Sequence, residues 1–245
     1  MVESTVTCFE GPRKITLRKM NLRPAEDQVL VKIHQASICG SDKLYYRGEI
    51  PEDVKARLPL CPRGHEGGGT VVEVGSKVRE FSEGDRVMSF SNGTYAEYCL
   101  FTVPYGCLPA PEGVDMETAS LGEPLSCAVY ATALATRHMQ LGDVVAVVGQ
   151  GFAGQVIQQG LKKGGADKVI VLDLVDEKLE LAKRLGADVA INPTEEDPLD
   201  VVMDLTDGRG VDLVVEASGS GEGLNTASKI VRHNGTIAIY SHYMR

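Results

Sequence analysis

The stretch 144-VVAVVGQGFAGQVIQQGLKKGG-165 reads as a strand, a glycine turn and a helix in succession. Four of its first five residues are β-branched valines, and the run is too short for a buried helix. Gly149, Gly151 and Gly154 then stand in G-x-G-x-x-G spacing. The first permits a tight turn, the second lets a pyrophosphate approach the backbone, and the third lets helix and strand pack closely. Glycine makes up 27 of 245 residues, so the motif alone is weak. Its context is stronger. A second apolar run ends in Asp173, 24 residues after Gly149. An acid there accepts hydrogen bonds from an adenosine ribose and repels a 2′-phosphate, which favours NAD over NADP.

Downstream, apolar runs at 168–172, 189–191, 211–215 and 236–240 alternate with amphipathic stretches such as 153–163 and 177–185. That alternation predicts a parallel sheet wrapped by helices. Lys162-Lys163 before Gly164, and Lys183-Arg184 before Gly186, place cations in last turns with glycine just beyond. Upstream the grammar changes. Short β-branched runs at 28–33 and 69–74 are punctuated by Gly84-Asp85 and Asn92-Gly93, which predicts a β-barrel or sandwich. Helix is expected there only after Gly40 and within 117–137. The boundary is expected near 130–142, giving domains 1–135 and 136–245.

The chain is 43% apolar and 24% charged, with a formal net charge of −9. No basic patch offsets that charge, which argues against nucleic acid and anionic membrane as partners. No run approaches the roughly 20 apolar residues of a membrane span. The N-terminus lacks the order of a signal peptide. A cytoplasmic protein is expected. Six cysteines are scattered without a C-x-x-C pair, so neither a disulfide framework nor a four-cysteine zinc site is expected. Most are read as small buried apolar residues.

Three segments carry metal-ligand residue types: Cys39 in 37-SICGSD-42, His65 and Glu66 in 63-RGHEGGG-69, and Glu123 in 121-LGEPLSC-127. Each alone suits an ordinary role: core cysteine, hydrogen-bonded histidine, helix cap. Together, thiolate, imidazole and carboxylate are the donor set of a catalytic zinc that keeps a position open. Asp42 suits an outer acceptor for the imidazole.

CGSD at 39–42, GHEGGGTVVEVGSKV at 64–78, GDRV at 84–87, GEPLS at 122–126 and GQGFAG at 149–154 occur in that order. The pattern resembles the zinc-dependent medium-chain dehydrogenases of the alcohol dehydrogenase superfamily, and the Glu-Pro-Leu-Ser variant is most similar to the sorbitol (polyol) dehydrogenase branch. The resemblance implies an α/β protein. A GroES-like β-barrel catalytic domain is followed by a Rossmann doubly wound parallel-sheet domain, with the metal in the cleft between them. It implies oxidation of a secondary alcohol or polyol, or the reverse ketone reduction, by hydride transfer to NAD. Cys39 and His65 match zinc ligands, and Glu66 matches the glutamate that follows the ligand histidine. Glu123 stands where polyol enzymes have a glutamate that binds or approaches the metal. Ser41 matches the hydroxyl that passes on the substrate proton, Asp42 the support of the histidine, and Lys178 a basic residue near the ribose. A homo-oligomer acting on a small-molecule alcohol is implied for the intact protein.

Three departures shape the expectation. The cysteine-rich lobe that carries a structural zinc is absent, since 84-GDRVMSFSNGTYAEYC-99 runs directly between strands, so one zinc ion is expected. Leu44 stands where many relatives have a proton-relay histidine, so proton release is expected to run from Ser41 through the cofactor ribose or water. The sequence stops at Arg245, before the sixth Rossmann strand and the return segment, which reads as a fragment of a longer protein. The alternatives are an inactive nucleotide- or zinc-binding module and a zinc-free reductase of the same superfamily. Tyr45 and Tyr46 suit either a substrate pocket or ordinary aromatic packing.

Overall fold

The computed structural model describes residues 1–243. They form two compact units, Met1–Glu123 and Pro124–Tyr243.

The first unit opens with an antiparallel hairpin of β1 (Val2–Gly11) and β2 (Lys14–Leu22). It continues through β3 (Gln28–Ala36), α1 (Gly40–Arg47), α2 (Glu52–Lys55), β4 (Gly67–Val74), β5 (Arg86–Ser89), β6 (Tyr98–Thr102), β7 (Cys107–Pro109) and α3 (Met116–Ala119). Five of these strands make an antiparallel sheet in the order β6-β3-β4-β5-β7. Its core gathers Val29, Val31, Val71, Val87, Cys99 and Phe101. On β5 and β6 every second residue points inward, the period-2 pattern of a sheet with one covered face. The glycine run that starts β4 has a steric reason. A β-carbon on Gly69 would lie 1.9 Å from the Lys32 carbonyl, one on Gly68 2.8 Å from the Val87 carbonyl, and one on Gly67 2.8 Å from the Gln35 carbonyl.

The cysteines correct one expectation. Cys8 on β1 is bonded to Cys61, 53 residues away. Phe9 and Leu60 exchange backbone hydrogen bonds at 3.1 and 3.0 Å, and that bridge sets the two thiols side by side. A pairing of distant segments leaves no trace in cysteine spacing. Cys99 and Cys107 are buried and free, as the apolar reading expects, whereas Cys127 is exposed.

The second unit begins within α4 (Gly122–Ala135) and continues as β8 (Val144–Val148), α5 (Phe152–Lys163), β9 (Lys168–Leu172), α6 (Asp176–Arg184), β10 (Val189–Ile191), α7 (Pro198–Leu205), β11 (Val211–Glu216), α8 (Gly221–Ile230) and β12 (Val231–Ile239). All five strands are parallel, in the order β10-β9-β8-β11-β12. In chain order within this unit that is 3-2-1-4-5, the doubly wound arrangement anticipated from the sequence. Ile157, Leu161, Leu179 and Ala182 cover one face, and Val202, Ala227 and Ile230 the other. Strands buried on both faces read as continuous apolar runs for that reason. Ala128 and Ala135 of α4 belong to the first of these cores, so the unit starts at Pro124 rather than at 136. The helices α7 and α8, not singled out from periodicity, are fixed by their caps. Asp197 accepts from the Leu199 N–H and Ser220 from the Gly223 N–H. Among the described residues no helix is long and apolar enough to cross a membrane.

Candidate functional site

Two segments of the first unit converge. After β3 the chain turns into α1 with Cys39 at the N-cap, and Asp42, three residues on, accepts the Cys39 N–H through Oδ2 at 3.2 Å. His65 and Glu66 sit just ahead of β4, and the Ser37 N–H donates to the Glu66 carbonyl at 3.1 Å, tying the segments together. The Cys39 sulfur, a ring nitrogen of His65 and a carboxylate oxygen of Glu66 all lie within 4.8 Å of one another. Burial pushes the Glu66 carboxyl up, against a hydrogen bond with Cys39 that lowers it. His65 is pushed up to about 9, chiefly by its hydrogen bond with Cys39, with the charges of Asp42 and Glu123 adding and burial opposing. A soft sulfur, an imidazole and a buried carboxylate aimed at one point fit a borderline divalent ion such as zinc.

Glu123, in the first turn of α4, lies outside this trio but acts by charge on both His65 and Glu66. Asp42 is buried; its Oδ2 accepts from the Tyr95 hydroxyl at 2.7 Å, while Oδ1 has no hydrogen-bond partner. It therefore acts on His65 through charge, not through a hydrogen bond. Burial, then Asp42, pushes the Tyr95 phenol up, so its hydroxyl stays a donor. Ser41 is half-buried on α1, one residue from Asp42. The Arg63 guanidinium lies 3.9 Å above the Tyr45 ring and covers that face, whereas Tyr46 is exposed.

The second unit assembles the glycine turn. Gly149, at φ +93°, lies under the β11–α8 turn, where a β-carbon would be 2.7 Å from the Ser218 nitrogen. A β-carbon on Gly154 would meet the Gly149 carbonyl, whereas one on Gly151 would meet nothing within 4 Å. Gly151 is also the N-cap of α5 and offers no side chain to its first-turn amides. Open space before an uncapped helix N-terminus fits a phosphate. Asp173, directly after β9, accepts the Gln150 N–H through Oδ2 at 2.7 Å and the Val175 N–H through Oδ1 at 3.0 Å. Lys178 Nζ stands 3.4 Å from that Oδ1. The structure thus brings Gly149, Gly151, Gly154, Asp173 and Lys178 to one turn.

Three residues at these sites escaped the sequence reading. Tyr95 and Arg63 flank Asp42, Arg63 at 3.8 Å. Glu216, fully buried at the end of β11, accepts from the Ser218 and Gly219 N–H groups at 2.7 and 3.2 Å, and from the hydroxyls of Ser218 and Tyr243. It holds the 217–220 turn against Gly149. The available signal was an acid closing an apolar strand, 211-VDLVVE-216.

Residues 25–122 match the alcohol dehydrogenase GroES-like domain, and residues 153–244 match the zinc-binding dehydrogenase family. The chain is 33% identical over 242 residues to a D-arabitol-phosphate dehydrogenase of Enterococcus avium, covering 86% of this chain and 66% of that protein. It is 32% identical over 243 residues to a sorbitol dehydrogenase of Bacillus subtilis, covering 87% and 67%. The chain thus spans about two thirds of the length of these curated relatives. A solved structure from Sinorhizobium meliloti, assigned as a zinc-binding dehydrogenase and bound to NADP, superposes with a TM-score of 0.85 at 25% identity, covering 100% of this chain and 78% of that one.

Proposed function

The chain belongs to the zinc-binding dehydrogenases of the alcohol dehydrogenase family, and from that premise we propose that it serves oxidation of a polyol or related secondary alcohol, or the reverse ketone reduction, with a nicotinamide dinucleotide as hydride carrier. The convergence of Cys39, His65 and Glu66 within 4.8 Å carries the proposal. The relatives named for sorbitol and D-arabitol phosphate support a polyol as the substrate class.

When bound, zinc supplies Lewis acidity at the substrate oxygen and the nicotinamide accepts the hydride. The protein's own groups do the rest. Cys39, His65 and Glu66 hold the ion, with Glu123 as a second carboxylate close by. Ser41 takes the hydroxyl proton and passes it toward the ribose or water, because Leu44 offers no relay. The uncapped start of α5 and the space at Gly151 receive the pyrophosphate. Asp173 receives the ribose hydroxyls and disfavours a 2′-phosphate, so NAD is the preferred carrier. Lys178 pulls the other way, and a relative holds NADP. Both cofactors therefore belong in the assay.

The test is turnover of the purified protein on a panel of polyols, polyol phosphates and other secondary alcohols, with NAD and with NADP, before and after chelation. Activity is expected to fall with the chelator and return with zinc; indifference to both sinks the metal role. Elemental analysis is expected to find one zinc per chain. Sedimentation is expected to show a homo-oligomer. A zinc-free reductase would leave the buried Glu66 beside Cys39 and His65 without a purpose.

A further inference from the structure

We propose that Tyr95 is a positioning residue for the metal cluster, locking the segment that carries Cys39 to the segment that carries His65 and Glu66. The inference rests on the metal reading given above.

At one end the Tyr95 hydroxyl reaches Asp42 Oδ2 at 2.7 Å and the Ser37 carbonyl at 2.9 Å. Asp42 holds the Cys39 N–H with the same oxygen, so the phenol is one atom removed from the ligand's own backbone. At the other end the Tyr95 N–H donates to the Arg63 carbonyl at 2.8 Å, and the Gly93 and Thr94 N–H groups donate to the Gly64 carbonyl at 2.6 and 3.2 Å. Between the two ends the ring fills the space beside Gly64. A β-carbon on that residue, held at φ +86°, would sit 2.6 Å from ring atoms Cγ and Cδ1. The chain can turn into His65 against the ring only because position 64 lacks a side chain. The Tyr95 carbonyl also accepts the Thr7 N–H at 2.9 Å, which moors the ring to β1.

Packing alone would be served by phenylalanine. The hydroxyl has a distinct task because Asp42 is buried, 3% exposed, with an Oδ1 that accepts no hydrogen bond. Without the phenol, Oδ2 keeps the Cys39 N–H alone. The nearest compensating cation is Arg63, 3.8 Å away across the carboxylate. A carboxylate that turns toward Arg63 releases the start of α1 and with it the Cys39 sulfur. Outer partners of metal ligands typically govern affinity by about 10- to 100-fold.

The experiment compares the full chain with Tyr95→Phe, Asp42→Asn and the double variant. It titrates zinc alone against a competing chelator and reads the absorption of the Co²⁺-loaded forms, with thermal melting of the apo forms alongside. Y95F keeps the ring beside Gly64 and is expected to melt near the wild type while binding zinc about tenfold more weakly, with a changed cobalt spectrum. In the D42N background the same change is expected to cost nothing further, because Tyr95 acts through that carboxylate. If Y95F does not fold, D42N alone carries the test and must show the same weakening and spectral change. Zinc affinity within twofold of wild type in Y95F, or a full additional loss in the D42N background, overturns the inference. A wild-type chain that takes up no metal overturns the proposed function, and this inference with it.

Discussion

A β-carbon on Gly154 would stand 1.9 Å from the carbonyl oxygen of Gly149. α5 therefore packs on the end of β8 at a distance that only a hydrogen atom permits. Gly154→Ala is expected to cost about 3 kcal/mol, the upper end for overpacking, since the obstacle is backbone. Gly151→Ala is the counterpart. Its β-carbon meets no protein atom and its φ is −70°, so stability is expected to hold while dinucleotide affinity falls at least about tenfold. Urea melts and a cofactor titration separate the two. Equal nucleotide affinity in wild type and G151A would remove the phosphate from that space.

Cys39→Ser and His65→Ala are expected to abolish stoichiometric zinc in the purified protein. Glu66→Gln should lower occupancy more than Glu123→Gln, because Glu66 shares the cluster with Cys39 and His65 and Glu123 lies outside it. Elemental analysis after exhaustive dialysis reads this directly. The reverse ranking would make Glu123 the third ligand.

Asp173→Asn keeps an acceptor for the Gln150 N–H but removes the charge beside Lys178. The ratio of NAD to NADP affinity is expected to fall by about tenfold, from weaker NAD and stronger NADP binding. An unchanged ratio in paired titrations would mean that the carboxylate does not select the ribose.

The Cys8–Cys61 bond closes a separation of 53 residues. On the chain-entropy account a loop of that length is worth about 4 kcal/mol. Cys61→Ala, or reductant, is expected to lower the melting temperature of the wild type, and reductant should have no effect on C61A. Intact mass under non-reducing conditions shows whether the bond is present. In a reducing compartment the bond opens and that stabilisation is lost.

Asp212 is buried at the start of β11. Burial raises its carboxyl, but hydrogen bonds from Arg209, Arg232 and the Val144 N–H outweigh it and hold the group below the usual carboxylate range. Asp143 faces the same arginine. A depressed folded value stabilises above the unfolded value of about 3.9 and is lost as pH falls through the folded one. Asp212→Asn is expected to cost about 2 kcal/mol at neutral pH and to flatten the acid limb of the stability profile. An acid limb as steep as the wild type's would place the titration elsewhere.

The second unit was legible because each of its elements announces itself locally. Valine runs such as 144–148 mark strands buried on both faces, and Lys162-Lys163 ahead of Gly164 marks a helix end. α7 and α8 were less visible because their starting signals, Asp197 and Ser220, are single residues in polar text. In the first unit the strands could be read but not their partners. The Phe9–Leu60 bridge joins positions that share no pattern, and the cysteine bond followed it out of sight. At the candidate metal cluster, Cys39, His65, Glu66 and Glu123 stand out by residue type, while the convergence of the first three within 4.8 Å is visible only in the fold. Tyr95 looked like any aromatic in a strand-rich segment; its role depends on Asp42, 53 residues away.

The six positions from 64 to 69 have no slack. Two of them supply the cluster, and at the other four a β-carbon would collide with the Tyr95 ring or with a carbonyl of a neighbouring strand. A side chain at 67, 68 or 69 meets a backbone carbonyl, and no second change at a distant side chain restores a backbone distance. This hexapeptide should be the slowest part of the gene to diverge, a fixed word within which neither drift nor adaptation can tune the enzyme. Changes of specificity must arise in other segments.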